Sequence, residues 1–204
     1  PWVYKGAIMD HNKLSSGNHP GIIDYKGKSY VFGFDYALLK QTTAEHYERR
    51  SVCVDELHYN ADGTIQQLPF WSEKGPAPVG ALNPYIWQEA ETIAWSKNIG
   101  TFKDSLTGMY VTDIQNDSYV KVRNVDFRKG CSQFEASAAS AAQGGSIELR
   151  LDSLAGRLIG KCVIGHTGGW LSWETSDCKV TSVSGKHDLF FVFNGASGTG
   201  STGG

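Results

Sequence analysis

The strongest constraint on the fold is a two-residue alternation of apolar and polar side chains in the second half of the chain. In IELRLD, residues 147–152, one isoleucine and two leucines alternate with charged residues, and runs at 120–123 and 189–193 also place apolar residues at every second position. Successive side chains of a β-strand point to opposite faces of a sheet, so this period predicts half-buried strands. Turn residues recur about every 8–12 positions without a long 3.6-residue period, which favours an all-β sandwich.

An alanine-rich stretch at 134–145 has a composition that also suits a helix. Phe134, Ala136 and Ala138 nevertheless alternate with polar residues, and Gly144-Gly145 marks the next turn. The alternation therefore predicts a strand in this stretch as well.

The first third of the chain is predicted to form a small antiparallel sheet. Runs at 21–25 and 29–34 flank Lys26-Gly27-Lys28, and runs at 51–58 and 64–68 flank an Asp62-Gly63 turn, so we expect two hairpins. Four strands in about seventy residues match one propeller blade in size and order. Apolar residues lie on both sides of these strands, as in a blade that neighbours cover on each face.

A proline-rich segment separates the two halves. Residues 72–84 (SEKGPAPVGALNP) carry three prolines and two glycines and have no periodic apolar pattern. This composition predicts a linker between a blade-like domain of residues 1–71 and a sandwich of residues 85–204.

Charge and hydropathy argue against several classes of partner. The formal net charge is -2 and the lysines and arginines are scattered, so we expect no nucleic-acid binding. No stretch approaches the roughly 20 apolar residues of a membrane span, so we expect no membrane partner. We expect a monomer. The chain opens without the charged and apolar regions of a signal peptide, so any export signal is expected upstream of Pro1.

The four cysteines favour a disulfide over a zinc site, because none has C-x-x-C spacing or a histidine at zinc-ligand spacing. Cys162 and Cys178 flank a glycine-rich turn between two strand-like runs. Their pairing is the favoured prediction if the protein is exported, with free thiols as the alternative. Cys53, between two valines, is expected to be a small buried hydrophobe.

Trp170 is the main candidate binding residue. It follows Thr167-Gly168-Gly169, and a tryptophan in a glycine-rich loop is poorly placed to enter a core. An exposed indole gives a flat surface for the C–H face of a sugar ring. The alternative is that the ring folds over the core, which is where we expect Trp173.

Five motifs in the second half resemble carbohydrate-binding module family 6. In chain order they are WQEAETIAW, GMYVTDIQNDSYVKVRNVDF, GGSIELRLDSLAGRLIGKC, TGGWLSW and GKHDLFFVFNG, within residues 86–195. The resemblance implies a jelly-roll β-sandwich that binds xylan-like or β-glucan chains. It also implies a closing strand with an aspartate calcium ligand, which is expected beyond Gly204.

The same resemblance assigns roles to individual residues. Trp170 matches the binding-cleft tryptophan, and Asp113 stands where a facing aromatic is usual. Tyr110 or Trp95 is then expected to supply the second aromatic face, or Asp113 to accept hydroxyl groups in its place. Two acids, Glu89 and Glu91, match the structural calcium ligands of the family. Two residues apart on a strand, their side chains would point the same way. The alternative, given equal weight, is that both are exposed acids that bind no metal.

Three motifs in the first third resemble the last blade of the glycoside hydrolase family 43 propeller: PWVYKG, GNHPGIIDYKGKSYVFGF and ERRSVCVDELHYNADGTIQ. The two resemblances imply an all-β chain, the last blade of a partial five-bladed propeller followed by the sandwich. This architecture is similar to secreted arabinoxylan arabinofuranosidases and β-xylosidases. The alternative is a non-catalytic polysaccharide-binding protein with a structural propeller-like segment.

The family 43 resemblance places the catalytic carboxylates in earlier blades, so we expect none in this chain. It assigns His19 to the propeller centre, near the active-site water or ion, and Arg50 to an active-site arginine. The alternative for His19 is a loop histidine that is hydrogen-bonded to the backbone, and the alternative for Arg50 is a charged strand residue without a role in the active site.

Overall fold

The computed structural model describes residues 1–15, 19–37, 40, 50–72 and 75–195. The chain divides into two compact units, Pro1–Val79 and Gly80–Gly204. The division falls inside the segment predicted as a linker, residues 72–84. Within the described ranges no helical segment has the length and apolar character needed to cross a lipid bilayer.

The described part of the first unit contains one three-stranded antiparallel sheet. Its strands, in the spatial order β1-β2-β3, are β1 (Gly21–Tyr25), β2 (Lys28–Asp35) and β3 (Ser51–Leu57). Lys26 and Gly27 connect β1 to β2 with φ angles of 51° and 76°. Two successive positive φ angles are typical of the tight turn that matches the twist of a hairpin, so the first predicted hairpin is confirmed.

The predicted fourth strand at 64–68 is wrong. In the described structure this segment makes only single bridges, Tyr59 with Ile65 and Met9 with Leu68. The carboxylate of Asp62 accepts hydrogen bonds from both the backbone N–H and the hydroxyl of Thr64, which closes a local turn. The predicted second hairpin therefore forms only as a short one, with a single antiparallel bridge, before the chain pairs in parallel with the N-terminal segment at Leu68.

One face of this sheet carries the core of the first unit and the other is partly open. The core is Val31, Leu57 and Trp71, and the Trp71 indole donates to the backbone oxygen of Phe34 at 3.2 Å. On the opposite face, apolar side chains of all three strands are exposed: Ile23, Tyr25, Phe32 and Val52, the last at 81%. A second layer of protein is needed to cover them, as expected for a single blade.

The described part of the second unit contains nine strands. They are β4 (Trp95–Lys97), β5 (Gly100–Asp104), β6 (Gly108–Thr112), β7 (Tyr119–Asp126), β8 (Gln133–Ala138), β9 (Gly145–Leu151), β10 (Leu158–Ile164), β11 (Glu174–Lys179) and β12 (Lys186–Gly195). A five-stranded sheet has the order β10-β9-β12-β7-β4, β8 pairs with β11, and β5 pairs with β6.

The core of the second unit follows the predicted alternation. The inward residues Ile147, Leu149 and Leu151 are at most 9% exposed, and the stretch at 133–138 is a strand as predicted. Side chains of β8 and β11, including Phe134 and Cys178, pack against the inner face of the five-stranded sheet. Two sheets therefore enclose one apolar layer, and the all-β prediction is confirmed.

All four cysteines are free thiols in this structure. The favoured Cys162–Cys178 disulfide is therefore absent, and the structure agrees with the alternative prediction of free thiols. Cys162 is fully buried and Cys178 partly buried. Cys53 packs against the core of the first unit, where burial, with added repulsion from Asp35, raises the pKa of its thiol to about 11. A thiol held protonated behaves as a hydrophobe, so the predicted apolar role of Cys53 is confirmed, but the residue is only partly buried.

Candidate carbohydrate-binding site

Four connecting segments meet at one end of the sandwich, here called the loop end: residues 98–100, 113–118, 139–144 and 165–173, together with the end of β12. Gly195 pairs with Gly145 and its N–H donates to the Asn116 side chain at 3.1 Å. The N–H of Phe193 donates to the Ser118 carbonyl at 2.9 Å. These bonds attach the segment 113–118 to the end of β12 in the five-stranded sheet.

The segment 165–173 is held in place by Ser140 and Thr167. The Thr167 N–H donates to the Ser140 carbonyl at 2.9 Å, and the Ser140 N–H donates to the Thr167 hydroxyl at 2.8 Å. Gly168 follows with a φ of 90°, a conformation that favours glycine. A turn closed by the Ser172 N–H and the Gly169 carbonyl then presents the next side chain to solvent.

That side chain is Trp170, which is 67% exposed. Its ring makes no hydrogen bond or aromatic contact with the residues that the structure describes. The alternative that Trp170 folds over the core is therefore wrong. A large indole left open at the tip of an anchored loop offers a flat apolar surface to a ligand.

Tyr110 lies at the base of the same loop through a contact with Trp173. The two rings are 5.3 Å apart in an edge-to-face arrangement, and the Trp173 indole donates to the Thr107 hydroxyl at 3.2 Å. Phe102 continues the aromatic row, with its centroid 5.9 Å from that of Tyr110. The hairpin of β5 and β6 therefore supports the base of the Trp170 loop.

The prediction that Trp173 is a core residue is wrong. It lies just before β11, is partly exposed, and belongs to neither buried cluster of the described second unit. Its partner Thr107 is held by the turn before β6. There the backbone N–H groups of Thr107 and Leu106 donate to Asp104, which lowers the pKa of that carboxyl. An ionised Asp104 keeps this turn, and with it the Trp173 contact, in place.

Asp113 also belongs to the loop end. Its side chain is exposed and its φ is 55°. The carboxylate lies over Gly100, where an added Cβ would come within 2.1 Å of an Asp113 oxygen, so a larger residue there would displace the Asp113 side chain. An exposed carboxylate in this position is an acceptor for the hydroxyl groups of a ligand.

Trp95 lies on an edge strand of the five-stranded sheet. It pairs with Lys121, which pairs with Phe190, which in turn pairs with Arg150. Arg150 lies five positions along β9 from Gly145, whereas Trp95 lies only three residues before the loop-end segment 98–100. β4 and β10 are opposite edges of the sheet, about 19 Å apart at four strand spacings. Trp95 therefore lies on the opposite edge strand from the one that leads into the Trp170 loop, and its role as the second face stays a prediction.

Asn194 was missed by the sequence reasoning. It occupies the penultimate position of β12, and its side-chain nitrogen is buried with no hydrogen-bond partner among the described residues. A buried amide without a partner is costly unless a ligand or water accepts from it. The signal in the sequence is a single amide that ends an apolar strand, FFVFN.

The predicted metal ligands lie in a turn before β4 rather than on a strand. The N–H of Thr92 donates to the carbonyl of Glu89 and that of Ile93 to the carbonyl of Glu91. Glu89 is exposed, whereas one carboxylate oxygen of Glu91 is buried without a hydrogen-bond partner. In the described part of the chain no group of three or more His, Cys, Asp or Glu side chains is arranged to hold a metal.

In the first unit the structure brings His19 and Arg50 together. Their side-chain nitrogens are 3.4 Å apart, and the guanidinium lies 4.6 Å from the centroid of the Phe34 ring. Because arginine only donates, this hydrogen bond has Nδ1 of His19 as its acceptor. The Phe34 ring also meets His19 edge to face at 5.8 Å. The predicted pair therefore forms one cluster on the blade.

The carboxylates described in the blade are engaged locally. Four of them bond to nearby side chains or backbone: Asp10 with Gln67, Asp24 with Ser29, Asp55 with Ser72, and Glu56 with Lys28. Each has a structural partner within its own sheet or its flanking segments.

Comparison with known proteins covers both units. The family model for the carbohydrate binding module (family 6) matches residues 89–201. An arabinoxylan arabinofuranohydrolase of Bacillus subtilis is 35% identical over 98% of this chain. The chain spans only 40% of that relative's length.

Two solved structures support the same assignment. A glycoside hydrolase family 43 arabinoxylan arabinofuranohydrolase from Bacillus subtilis, in complex with cellotetraose, has a TM-score of 0.86 and 34% identity over 98% of this chain and 42% of its own. A family 6 module from Clostridium cellulolyticum in complex with xylose has a TM-score of 0.55 and 42% identity over 57% of this chain and 91% of its own.

These matches confirm the predicted order of a propeller-derived segment followed by a β-sandwich. The match of residues 1–71 to a family 43 protein extends beyond the module itself. The second unit accounts for the family model and for most of the length of the isolated solved module. The chain belongs to carbohydrate-binding module family 6.

Proposed function

We propose that this chain is the substrate-binding part of a secreted hemicellulose-degrading glycosidase, and that its second unit binds xylan-type chains at the loop end. The observation that carries the proposal is Trp170, an anchored and open indole. A family 6 module of similar sequence was solved with xylose, which supports a pyranose ligand for this one.

The loop end supplies the two kinds of contact that a sugar needs. Trp170 offers apolar area to the C–H face of a pyranose ring. The carboxylate of Asp113 accepts from hydroxyl groups, and the unpartnered amide of Asn194 donates to one. Tyr110 and Trp173 support the loop from below and add apolar area at its base.

The parent protein is proposed to hydrolyse arabinofuranosyl or xylosyl linkages with carboxylates that lie outside this chain. The support is the similarity to an arabinoxylan arabinofuranohydrolase over nearly the whole chain. In such a parent His19 and Arg50 would line the edge of the active site as one polar cluster. Because the polymer is too large to enter a cell, the parent is proposed to be extracellular.

Retention on insoluble polysaccharides tests the binding proposal. We expect the chain to be retained by xylan and arabinoxylan, and to bind xylo-oligosaccharides with a Kd of roughly 10–1,000 µM, since a few stacked sugars bury little area. The measurement is pull-down followed by isothermal titration calorimetry, with sedimentation to test the proposed monomer. Equal retention by an unrelated insoluble matrix such as chitin, or none by xylan, would contradict the proposal.

We also propose a structural calcium ion beside Glu91, with Glu89 as a second ligand. The support is the buried and unpartnered oxygen of Glu91, because a hard cation binds carboxylate oxygens and fills its remaining positions with carbonyls and water. When bound, the ion would satisfy that oxygen and tie the turn at 89–93 to the sandwich.

Calcium is therefore expected to stabilise the second unit. Millimolar calcium should raise the midpoint of thermal unfolding by about 5–10 °C relative to a chelator. Glu91→Gln should abolish this increment, whereas Glu135→Gln, which changes an exposed acid on β8, should retain it. Differential scanning calorimetry of the three proteins measures the effect. An equal increment in the Glu91 variant would exclude this residue as a ligand.

A further inference from the structure

Cys162 on β10 and Cys178 on β11 lie opposite each other. Gly160 forms an antiparallel bridge with Val180, and two residues further along the antiparallel strands come the two cysteines. Each thiol packs into the same apolar cluster. The two strands belong to different sheets, so these side chains meet where the five-stranded and two-stranded sheets approach.

The backbone pattern defines the kind of pair. The N–H of Thr181 donates to the carbonyl of Ile159 at 2.6 Å, which makes the bridge between Gly160 and Val180 a non-hydrogen-bonded pair. The two cysteines lie one repeat of this pattern beyond the bridge. Opposite Cα atoms in a non-hydrogen-bonded pair lie about 4.5 Å apart, inside the range that a disulfide spans. The two thiols lie close enough for each to shift the pKa of the other.

We propose that Cys162 and Cys178 are an oxidisable pair that forms a cross-strand disulfide at the base of the Trp170 loop. The bond would close residues 163–177 into a loop and join the two sheets covalently. Since Trp170 lies within that loop, the exposed indole of the oxidised protein is carried by a segment whose two ends are covalently linked. In the reduced protein only hydrogen bonds and packing hold the same segment.

The exchange starts at Cys178. It is partly exposed, whereas Cys162 is fully buried. The Cys178 thiolate attacks a low-molecular-weight disulfide such as oxidised glutathione and releases one glutathione thiolate. The Cys162 thiolate then attacks the Cys178 sulfur and releases the second. The two protein thiols lose two protons and two electrons, and one glutathione disulfide becomes two thiols.

Burial slows this exchange at neutral pH. Desolvation raises the pKa of Cys162 to about 11 and also raises the pKa of Cys178. Because the thiolate is the nucleophile, the rate of oxidation should increase about tenfold for each unit of pH below these values. The pair therefore reacts slowly but, once closed, is shielded from reductants.

The full chain treated with oxidised glutathione tests the proposal. After alkylation of the remaining thiols and proteolysis, mass spectrometry should find one peptide pair linked through Cys162 and Cys178. The midpoint of thermal unfolding should rise by about 10 °C, because the closed loop restricts the unfolded chain. Dithiothreitol should reverse both changes.

Three variants provide the controls, each compared with itself before and after oxidation. Cys162→Ala and Cys178→Ala should lose the increment in unfolding midpoint, and Cys131→Ala, which removes another partly buried thiol of the second unit, should keep it. Alkylation of both thiols after oxidation and denaturation, or a glutathione adduct that persists on Cys178, would overturn the proposal. So would loss of the increment in Cys131→Ala.

Discussion

Replacing Trp170 by alanine is expected to lower the affinity of the chain for xylo-oligosaccharides by roughly 10- to 100-fold. The Trp170 ring is 67% exposed and makes no hydrogen bond or aromatic contact with the described residues, so its removal mainly takes away the surface offered to the sugar. At about 1.4 kcal/mol for each tenfold change, the loss matches the removal of one stacked ring. Isothermal titration calorimetry measures it directly.

Trp87→Ala is the matched control, because Trp87 is 66% exposed and loses the same side chain. It lies between Tyr85, whose hydroxyl donates to Gly130 at 2.7 Å, and Gln88, which donates to Asn83. This places it by the end of β7 that is remote from the loop end. The control should bind as the unaltered chain does. Equal affinities for the Trp170 and Trp87 variants would remove the basis of the proposed function.

Leu149→Ala is expected to lower the free energy of unfolding of the second unit by about 2–5 kcal/mol. Leu149 is 3% exposed in the central core cluster, on a strand paired on both sides. The smaller side chain leaves a cavity that β9 cannot collapse to fill. Urea denaturation followed by intrinsic fluorescence measures the change.

Leu154→Ala makes the same chemical change at a residue that is 45% exposed, in the turn between β9 and β10. Its effect should stay within about 0.5 kcal/mol, as for most surface substitutions. Similar losses in the two variants would mean that Leu149 does not pack in the core described here.

The strands of the sandwich were predictable because one face of each is buried. A side chain that must alternate between core and solvent leaves a period of two in the sequence, and Ile147, Leu149 and Leu151 preserve it. The hairpin at Lys26-Gly27 was predictable for a different reason, since its turn chemistry is local. The strand at 64–68 was predicted wrongly because its far end, at Leu68, pairs with Met9, which is distant in the sequence.

The site was only partly predictable. Trp170 follows from its glycine-rich surroundings, which are local. Trp95 and Trp173 depend on tertiary structure: the strand order places Trp95 on the edge remote from β10, and a bond to Thr107 holds Trp173 outside the core. Asn194 was missed because a buried amide without a partner is visible only once its neighbours are known.

The loop end is assembled from four short segments, each fixed by backbone or hydroxyl bonds to a core that is already complete beneath it. Substitutions that alter the outer side chains of those segments leave the packing layer untouched. Descendants of this scaffold can thus exchange one polymer for another by varying a handful of surface positions, and ligand choice can evolve faster than architecture.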